Sequence, residues 1–378
     1  QTSSDYLRRL MRFFHISDLH LGLKLLEKDL LEDQTYILQQ IVSQAVHYHI
    51  DGIVIAGDIY DKPVPPSEAV KVFDAFLTSL KQALPDLYVC IISGNHDAGQ
   101  RVDVYSSFLK AEKIYCVGTP PEQHITRVDI QDEYGKIHFY LLPFIRPSMV
   151  RPLLQQEGLS YQKTMEQLLA KETIEEQDRN VFVSHQFYLP HGKSAEEVER
   201  CDSEIRTVGN IDEISADVLQ PFDYAALGHI HKPMTVGKKI YRYCGTPIAC
   251  SVSEAGQQKF ILMVDMKEKG NTEITPIPLH PLRQVKVMKG TLEDILAQAC
   301  DDYVSVVLED TKDHEVFELQ QKLRHAFSNL LEVRRENIQV PQYFETENME
   351  EKDTLTLCKE FMPDMDEEDM RILKSILN

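Results

Sequence analysis

Five short motifs carry most of the side chains in this chain that could do chemistry: Asp18-Leu19-His20, Gly57-Asp58, Gly94-Asn95-His96-Asp97, Ser184-His185 and Gly228-His229-Ile230-His231. Together they hold enough nitrogen and oxygen donors for two metal ions, and no thiolate. That mixture suits manganese, iron or zinc and disfavours calcium or magnesium alone. Two divalent ions would clamp a phosphodiester and supply hydroxide at neutral pH. Asp58, a single acid after a very apolar run, is the natural bridge between them. Asp18 and His20 alternate along an extended segment, so they can face one ion only if the strand ends and turns there. His229 and His231 share that spacing and can direct one imidazole to each ion. Asn95 offers a neutral amide oxygen that limits the negative charge, and His185 completes the second ion. His96 is placed to protonate the leaving oxygen. Asp97 orients the loop or the imidazole, or caps the turn. Taken singly these motifs are weak, since Gly-Asp alone is most often a turn. Their strength lies in five recurring in the same local context. His47 and His49 are expected on a solvent-facing helix, and His124, His138 and His191 have no partner that can be identified from sequence.

Each motif closes an apolar run: RFFHI, GIVIA, LYVCII, NVFV and FDYAAL. Their length and their β-branched or aromatic content predict buried strands, and strand ends are where an α/β fold places its chemistry. Helical spacing is expected over residues 30–49, 66–84 and 102–112, each following one of the first three motifs. KIHFYLLPFI and FILMVDM read as strands without a crossover helix, so a mixed sheet or two packed sheets is expected rather than one parallel sheet. Three prolines within KGNTEITPIPLHPLR suggest a linker, followed by a small β-α-β-α unit. The last 38 residues hold 4 Lys/Arg against 11 Asp/Glu. DTLTLCKEFM and DEEDMRILKSIL there are predicted as short amphipathic helices that need a surface to dock on, and their charge favours a protein over nucleic acid. The expected organisation is a leader or remnant over 1–10 before Met11, a catalytic domain over 11–275, a capping domain over 276–340 and a helical segment over 341–378.

The chain has 378 residues and a formal net charge of −20, which counts modestly against nucleic-acid binding by bulk electrostatics. Its 7 cysteines show no C-x-x-C spacing and suit buried thiols in a reducing, cytoplasmic setting. No run reaches membrane-spanning length and no signal peptide is visible. No Gly-x-x-x-x-Gly-Lys-Ser/Thr phosphate loop is present, so any ATP dependence must come from a partner.

The motifs, in this order, resemble the calcineurin-like metallophosphoesterase superfamily. Extended through HISDLHLG, LLEDQ, GIVIAGDIYDKPVPP, ISGNHD, FVSHQF, FDYAALGHIHKP, YCGTP and HPLR, the similarity is to its SbcD family of nuclease subunits and covers nearly the whole chain after Met11. The resemblance implies an α/β fold: a two-sheet sandwich flanked by helices, a small α+β capping domain that contacts DNA, and a C-terminal helical segment. It implies Asp18, His20, Asp58 and His231 on one ion; Asp58, Asn95, His185 and His229 on the other; and His96 as the catalytic histidine. It also implies manganese, an SbcC-type ATPase partner, and a homodimer within a heterotetramer. The implied activity is ATP-regulated exonuclease and endonuclease cleavage at DNA ends and hairpins, in DNA repair, replication and recombination. Archaeal and eukaryotic relatives carry histidine where this chain has Asp61, a candidate to orient His96. Alternatives are another two-metal phosphatase or phosphodiesterase of the superfamily, or a scaffold that has kept the fold without the chemistry.

Overall fold

Strands covered on both faces hide the alternation that marks a half-buried strand, and the computed structural model shows both faces covered. It describes residues 10–189, 212–309 and 316–335. In chain order the elements are β1 (Met11–Ile16), α1 (Leu31–Tyr48), β2 (Gly52–Ala56), α2 (Ser67–Ala83), β3 (Tyr88–Ile92), β4 (Ile114–Val117), β5 (Thr126–Asp132) and β6 (Gly135–Leu142). They continue with α3 (Tyr161–Ala170), β7 (Arg179–Ser184), β8 (Tyr224–Leu227), β9 (Met234–Thr235), β10 (Tyr241–Tyr243), β11 (Phe260–Met266) and β12 (Thr272–Pro278).

The strands form two six-stranded mixed sheets, ordered β12-β11-β1-β2-β3-β4 and β9-β10-β8-β7-β6-β5. Strands β1 to β4 are mutually parallel, with β11 antiparallel to β1. In the second sheet β6, β7, β8 and β10 are parallel, and β5 and β9 run antiparallel at the edges. Residue parity decides which layer each side chain joins. Phe13, Val54, Ala56, Cys90 and Ile92 meet Phe139, Leu141, Val181, Val183 and Ala226 between the sheets. Their neighbours Phe14, Ile53, Ile55, Val89 and Ile91 face outward, where they share one core with Ile37, Leu38 and Ile41 of α1 and Phe73 and Phe76 of α2. On the outer face of the second sheet, Tyr140 and Phe182 pack with Met165 and Leu168 of α3. The protein is thus the helix-flanked, two-sheet α/β sandwich expected from its sequence.

Two expectations are corrected. The helix expected over 102–112 is broken into the four-residue turns Gly99–Val102 and Ser106–Leu109 and a 3-10 turn. Asp103 accepts hydrogen bonds from the Gly118 and Thr119 amides and the Thr119 hydroxyl, which draws the chain to the end of β4. Tyr105 turns left-handed at φ 63°, and such local competition interrupts a helix. The proline-rich linker is also largely strand. Pro276 and Pro278 lie on β12, which pairs through all seven residues with β11, and an edge strand is where a sheet tolerates proline.

The small unit contains β13 (Val285–Gly290), α4 (Leu292–Leu296), β14 (Tyr303–Leu308), α5 (Val316–Ala326) and β15 (Leu330–Arg335), one strand more than expected. It has its own core around Ile295, Val304, Leu319, Leu323 and Phe327, and it docks on α1. Arg283 pairs at 2.7 Å with Glu32 and Asp33, and Tyr303 donates to Asp33 at 2.7 Å. The described residues up to Arg334 belong to one compact unit. The leader up to residue 9 and the helices expected in the tail lie outside the described residues. Among the described residues, no helix is long and apolar enough to cross a membrane.

Candidate metal centre

The five motifs sit on the loops that leave the C-terminal ends of β1, β2, β3, β7 and β8, so the two sheets supply one cluster together. Backbone hydrogen bonds tie the loops to one another. Asp18 N–H donates to Gly57 O at 3.0 Å, His20 N–H to Asp58 O at 3.0 Å, and Gly228 N–H to Ser184 O at 3.0 Å. Asp97 does the same with its side chain, accepting from the amides of Ile59, Tyr60 and Gly94 at 2.8–3.1 Å. It therefore orients the loop; the His96 imidazole is held elsewhere.

Several of these residues have left-handed backbones. Asp18 (φ 54°), His20 (φ 43°), Asp58 (φ 50°) and His229 (φ 97°) all have positive φ, a costly conformation for a residue with a Cβ. At Asp18 and His20 this is the turn needed for both side chains to reach one point. Two glycines allow the loops to approach. A Cβ at Gly94 would meet Asp58 Oδ1 at 2.1 Å, and one at Gly228 would meet Ala56 O at 2.0 Å.

All eight candidate side chains come together. Asp58 lies at the centre: its Oδ1 accepts the His96 amide at 2.8 Å, while Oδ2 lies 3.2 Å from His185 Nε2 and 3.7 Å from His20 Nε2. On one side of it, His20 Nε2 and His231 Nε2 face each other at 3.1 Å, with Asp18 in the same cluster. On the other, Asn95 Oδ1 lies 3.1 Å from His185 Nε2 and 2.9 Å from His229 Nδ1. Asp18 also accepts the His229 amide at 3.1 Å and lies 3.9 Å from His185. His185 Nδ1–H donates to Ala56 O at 2.7 Å, which leaves Nε2 to face the cluster.

Water is nearly excluded. Asp18, His20, Asp58, His185 and His231 are each at most 2% exposed, and His229 is 6% exposed. Burial, opposed by Asp58 and helped by the neighbouring imidazoles, lowers the His20 imidazole to about 3, so at neutral pH it offers a lone pair. Burial pushes His185 down too, but Asp58 and Asp18 outweigh it and lift the ring to about 9. Burial pushes Asp58 up, yet His185, His20 and His96 together hold it well below the usual carboxylate range. Asp18, by contrast, is raised by burial. The buried nitrogen and oxygen atoms gathered around ionised Asp58 are donors that divalent ions take, with His185 giving up its proton to become one of them. The donor set therefore fits such ions.

A calcineurin-like phosphoesterase model matches residues 11–233, more than half of the chain. The chain belongs to the calcineurin-like phosphoesterase family. A Type 5 capsule protein repressor C-terminal domain model matches residues 278–366. The SbcD component of the SbcCD nuclease of Staphylococcus epidermidis is 27% identical over 374 residues, covering 97% of this chain and 96% of the relative. With both models, this makes the chain an SbcD-like metallophosphoesterase. Among solved structures, a dimetal phosphatase from Danio rerio is 14% identical with a TM-score of 0.41, covering 74% of this chain and 100% of its own. GAP50, the anchor in the inner membrane complex of Plasmodium, is 12% identical with a TM-score of 0.40, covering 86% of this chain and 97% of its own.

Some details of this candidate centre were not visible in the sequence. Asp61 meets His96 through its backbone: His96 Nδ1–H donates to the Asp61 carbonyl at 2.9 Å. Phe144, after β6, lies beside both second-sheet imidazoles, with ring centroids 6.4 Å from His185 and 6.5 Å from His229. Glu254 lies 3.7 Å from His231 Nδ1. Phe144 and Glu254 lie outside the five motifs, and only the fold brings them close. Away from the centre, His138 is held between Asp129 at 2.7 Å and Asp178 at 3.0 Å. His124 lies 3.5 Å from Glu172, and His191 lies outside the described residues.

Proposed function

We propose that this chain is the nuclease component of an SbcCD-type complex, cutting DNA phosphodiester bonds at ends and hairpins as exonuclease and endonuclease. In this reading Asp18, His20, Asp58 and His231 hold one ion, and Asp58, Asn95, His185 and His229 hold the other, with manganese as the metal. The observation that carries it is Asp58 Oδ2, which lies within 3.7 Å of His20 Nε2 and 3.2 Å of His185 Nε2, on the boundary between the two donor groups. Ions bound there would polarise the phosphate and supply a hydroxide nucleophile.

The chain's own groups do the remaining work. The amide of His96 fixes Asp58 Oδ1 and leaves Oδ2 turned toward His20 and His185. His96 is half-buried, unlike the fully buried imidazoles around it. Nδ1–H is anchored on the Asp61 carbonyl, so in the imidazolium form Nε2–H is the group that can hand a proton to the departing sugar oxygen, leaving the neutral ring. Phe144 and the buried imidazoles keep bulk water away from the reacting phosphate.

DNA as substrate and an SbcC-type ATPase as partner are supported by the match to the staphylococcal relative over nearly its full length and by the C-terminal model match. The reading extends to a homodimer within a heterotetramer, a cytoplasmic setting, and roles in DNA repair, replication and recombination. The test compares linear duplex and hairpin DNA with a chromogenic phosphate monoester, each with manganese, with and without a co-purified ATPase and ATP. Cleavage of DNA, faster with partner and ATP, is expected. Hydrolysis of the monoester alone would replace this reading with that of a phosphatase of the same family.

A further inference from the structure

A second buried charge cluster adjoins the centre, built from residues outside the five motifs. Glu254 ends a 3-10 turn, Val252–Glu254, and is 1% exposed. Its Oε2 accepts from Lys259 Nζ at 2.6 Å and from the Thr246 hydroxyl at 2.9 Å. Its Oε1 accepts from the Cys250 amide at 3.2 Å and the Ser251 hydroxyl at 3.1 Å, and lies 3.7 Å from His231 Nδ1. Lys259 is itself 3% exposed and also donates to Thr246. His231, Cys250 and Glu254 are close enough together to suggest a third cation site. The Lys259 ammonium already lies against this carboxylate, and four protein donors occupy both oxygens, so the cluster carries its own counter-charge.

Its remaining orientation is toward His231. The backbone of that residue is fixed by the Thr246 amide, which donates to His231 O at 3.1 Å. Its side chain has Nε2 turned to His20 and Nδ1 turned to Glu254. An imidazole can present a lone pair at Nε2 only if its proton sits on Nδ1, and a carboxylate beside Nδ1 selects that tautomer. A buried carboxylate is costly alone, and Lys259 offsets its charge. We propose that Glu254, paired with Lys259, is the positioning residue for His231, fixing the tautomer and ring angle that aim Nε2 at the first ion. This rests on the two-metal reading above and extends it to a pair of residues that lie well after the last motif.

The test uses the metal-stripped full chain titrated with manganese chloride by calorimetry, together with ¹⁵N spectra of the imidazoles, in which His231→Gln identifies the His231 signal. Glu254→Gln alone leaves Lys259 buried without its partner and risks unfolding, so the double variant Glu254→Gln/Lys259→Met is compared with it. Wild type should bind two ions and show His231 protonated at Nδ1. The double variant should bind one ion about 10–100-fold more weakly, with the other within about 2-fold, and shift His231 toward the Nε2–H form. Unchanged affinity for both ions, or an unchanged His231 tautomer, overturns the positioning role while leaving the two-metal reading intact. A wild-type chain that binds no manganese overturns both.

Discussion

The two ends of the sandwich are built from the same residue types and do opposite things. At the end where β1 and β7 begin, Arg179 and Asp132 form a buried pair, each at most 2% exposed. Asp132 also accepts the Met11 amide, and Arg179 donates to the carbonyls of Gly135, Met266 and Lys267. His138 on β6 points its two nitrogens at two different carboxylates. Donors there meet acceptors, with Arg179 Nε the exception, and the charges at that end are paired. At the other end donors of one kind converge: two ring nitrogens face each other, and two more approach a single amide oxygen. Such an arrangement gathers lone pairs that a divalent cation can take. The contrast teaches that a histidine-carboxylate cluster is read by where its lone pairs point, since composition alone does not separate a lock from a metal centre.

The comparison is tested most severely at Asp58. Asp58→Asn should lower phosphodiesterase activity by at least ~10³-fold, while the metal-stripped protein loses less stability than the Arg179 variant below, because His185 can give up its proton once its partner charge is gone and the Asn oxygen can still accept the His96 amide. A large loss of metal-free stability would place Asp58 with the locks. Arg179→Met should show the reverse: a cost of about 3–5 kcal/mol in urea unfolding from leaving Asp132 buried alone, with unchanged manganese affinity in the folded fraction. His96→Ala should slow turnover by about 10²-fold or more with both ions still bound by calorimetry; unchanged turnover would remove His96 from the chemistry.

The smallest effect concerns His15, buried between the sheets against the Tyr224 hydroxyl at 2.9 Å. Burial lowers its imidazole from the ordinary 6.5 to about 3. The unfolded chain takes up this proton below about pH 6.5 and the folded one does not. Its contribution to stability is therefore full above that pH and is lost progressively as pH falls toward 3. His15→Phe should flatten this slope, sparing about 1 kcal/mol at pH 5.5 relative to pH 7.5, measured as urea midpoints. An unchanged slope would show that other groups set the acid sensitivity.

What could be read without coordinates follows from local rules. The apolar runs at β1, β2, β3, β7 and β8, the helices α1 and α2 between them, and the strand-end placement of Asp18, Asp58, Asn95, His185 and His229 are all matters of short-range pattern. Strand periodicity and the habit of placing loops at strand ends do not need the rest of the fold. The misreadings were local rules overruled at a distance. Asp103 draws the chain toward Gly118 and breaks an expected helix, and pairing with β11 turns a proline-rich stretch into an edge strand.

The sequence by itself determined that two sets of donors exist and that a small unit and an acidic tail follow them. Only the tertiary structure decided which atoms meet. That Asp58 Oδ2 lies between His20 and His185, that Asp61 serves His96 through its carbonyl, and that Glu254 and Lys259 lie behind His231 depend on two sheets packing face to face and bringing five loops to one point. The physical reason is range: motif spacing governs a few residues of backbone, whereas the direction of a lone pair is set by contacts between side chains far apart in the chain.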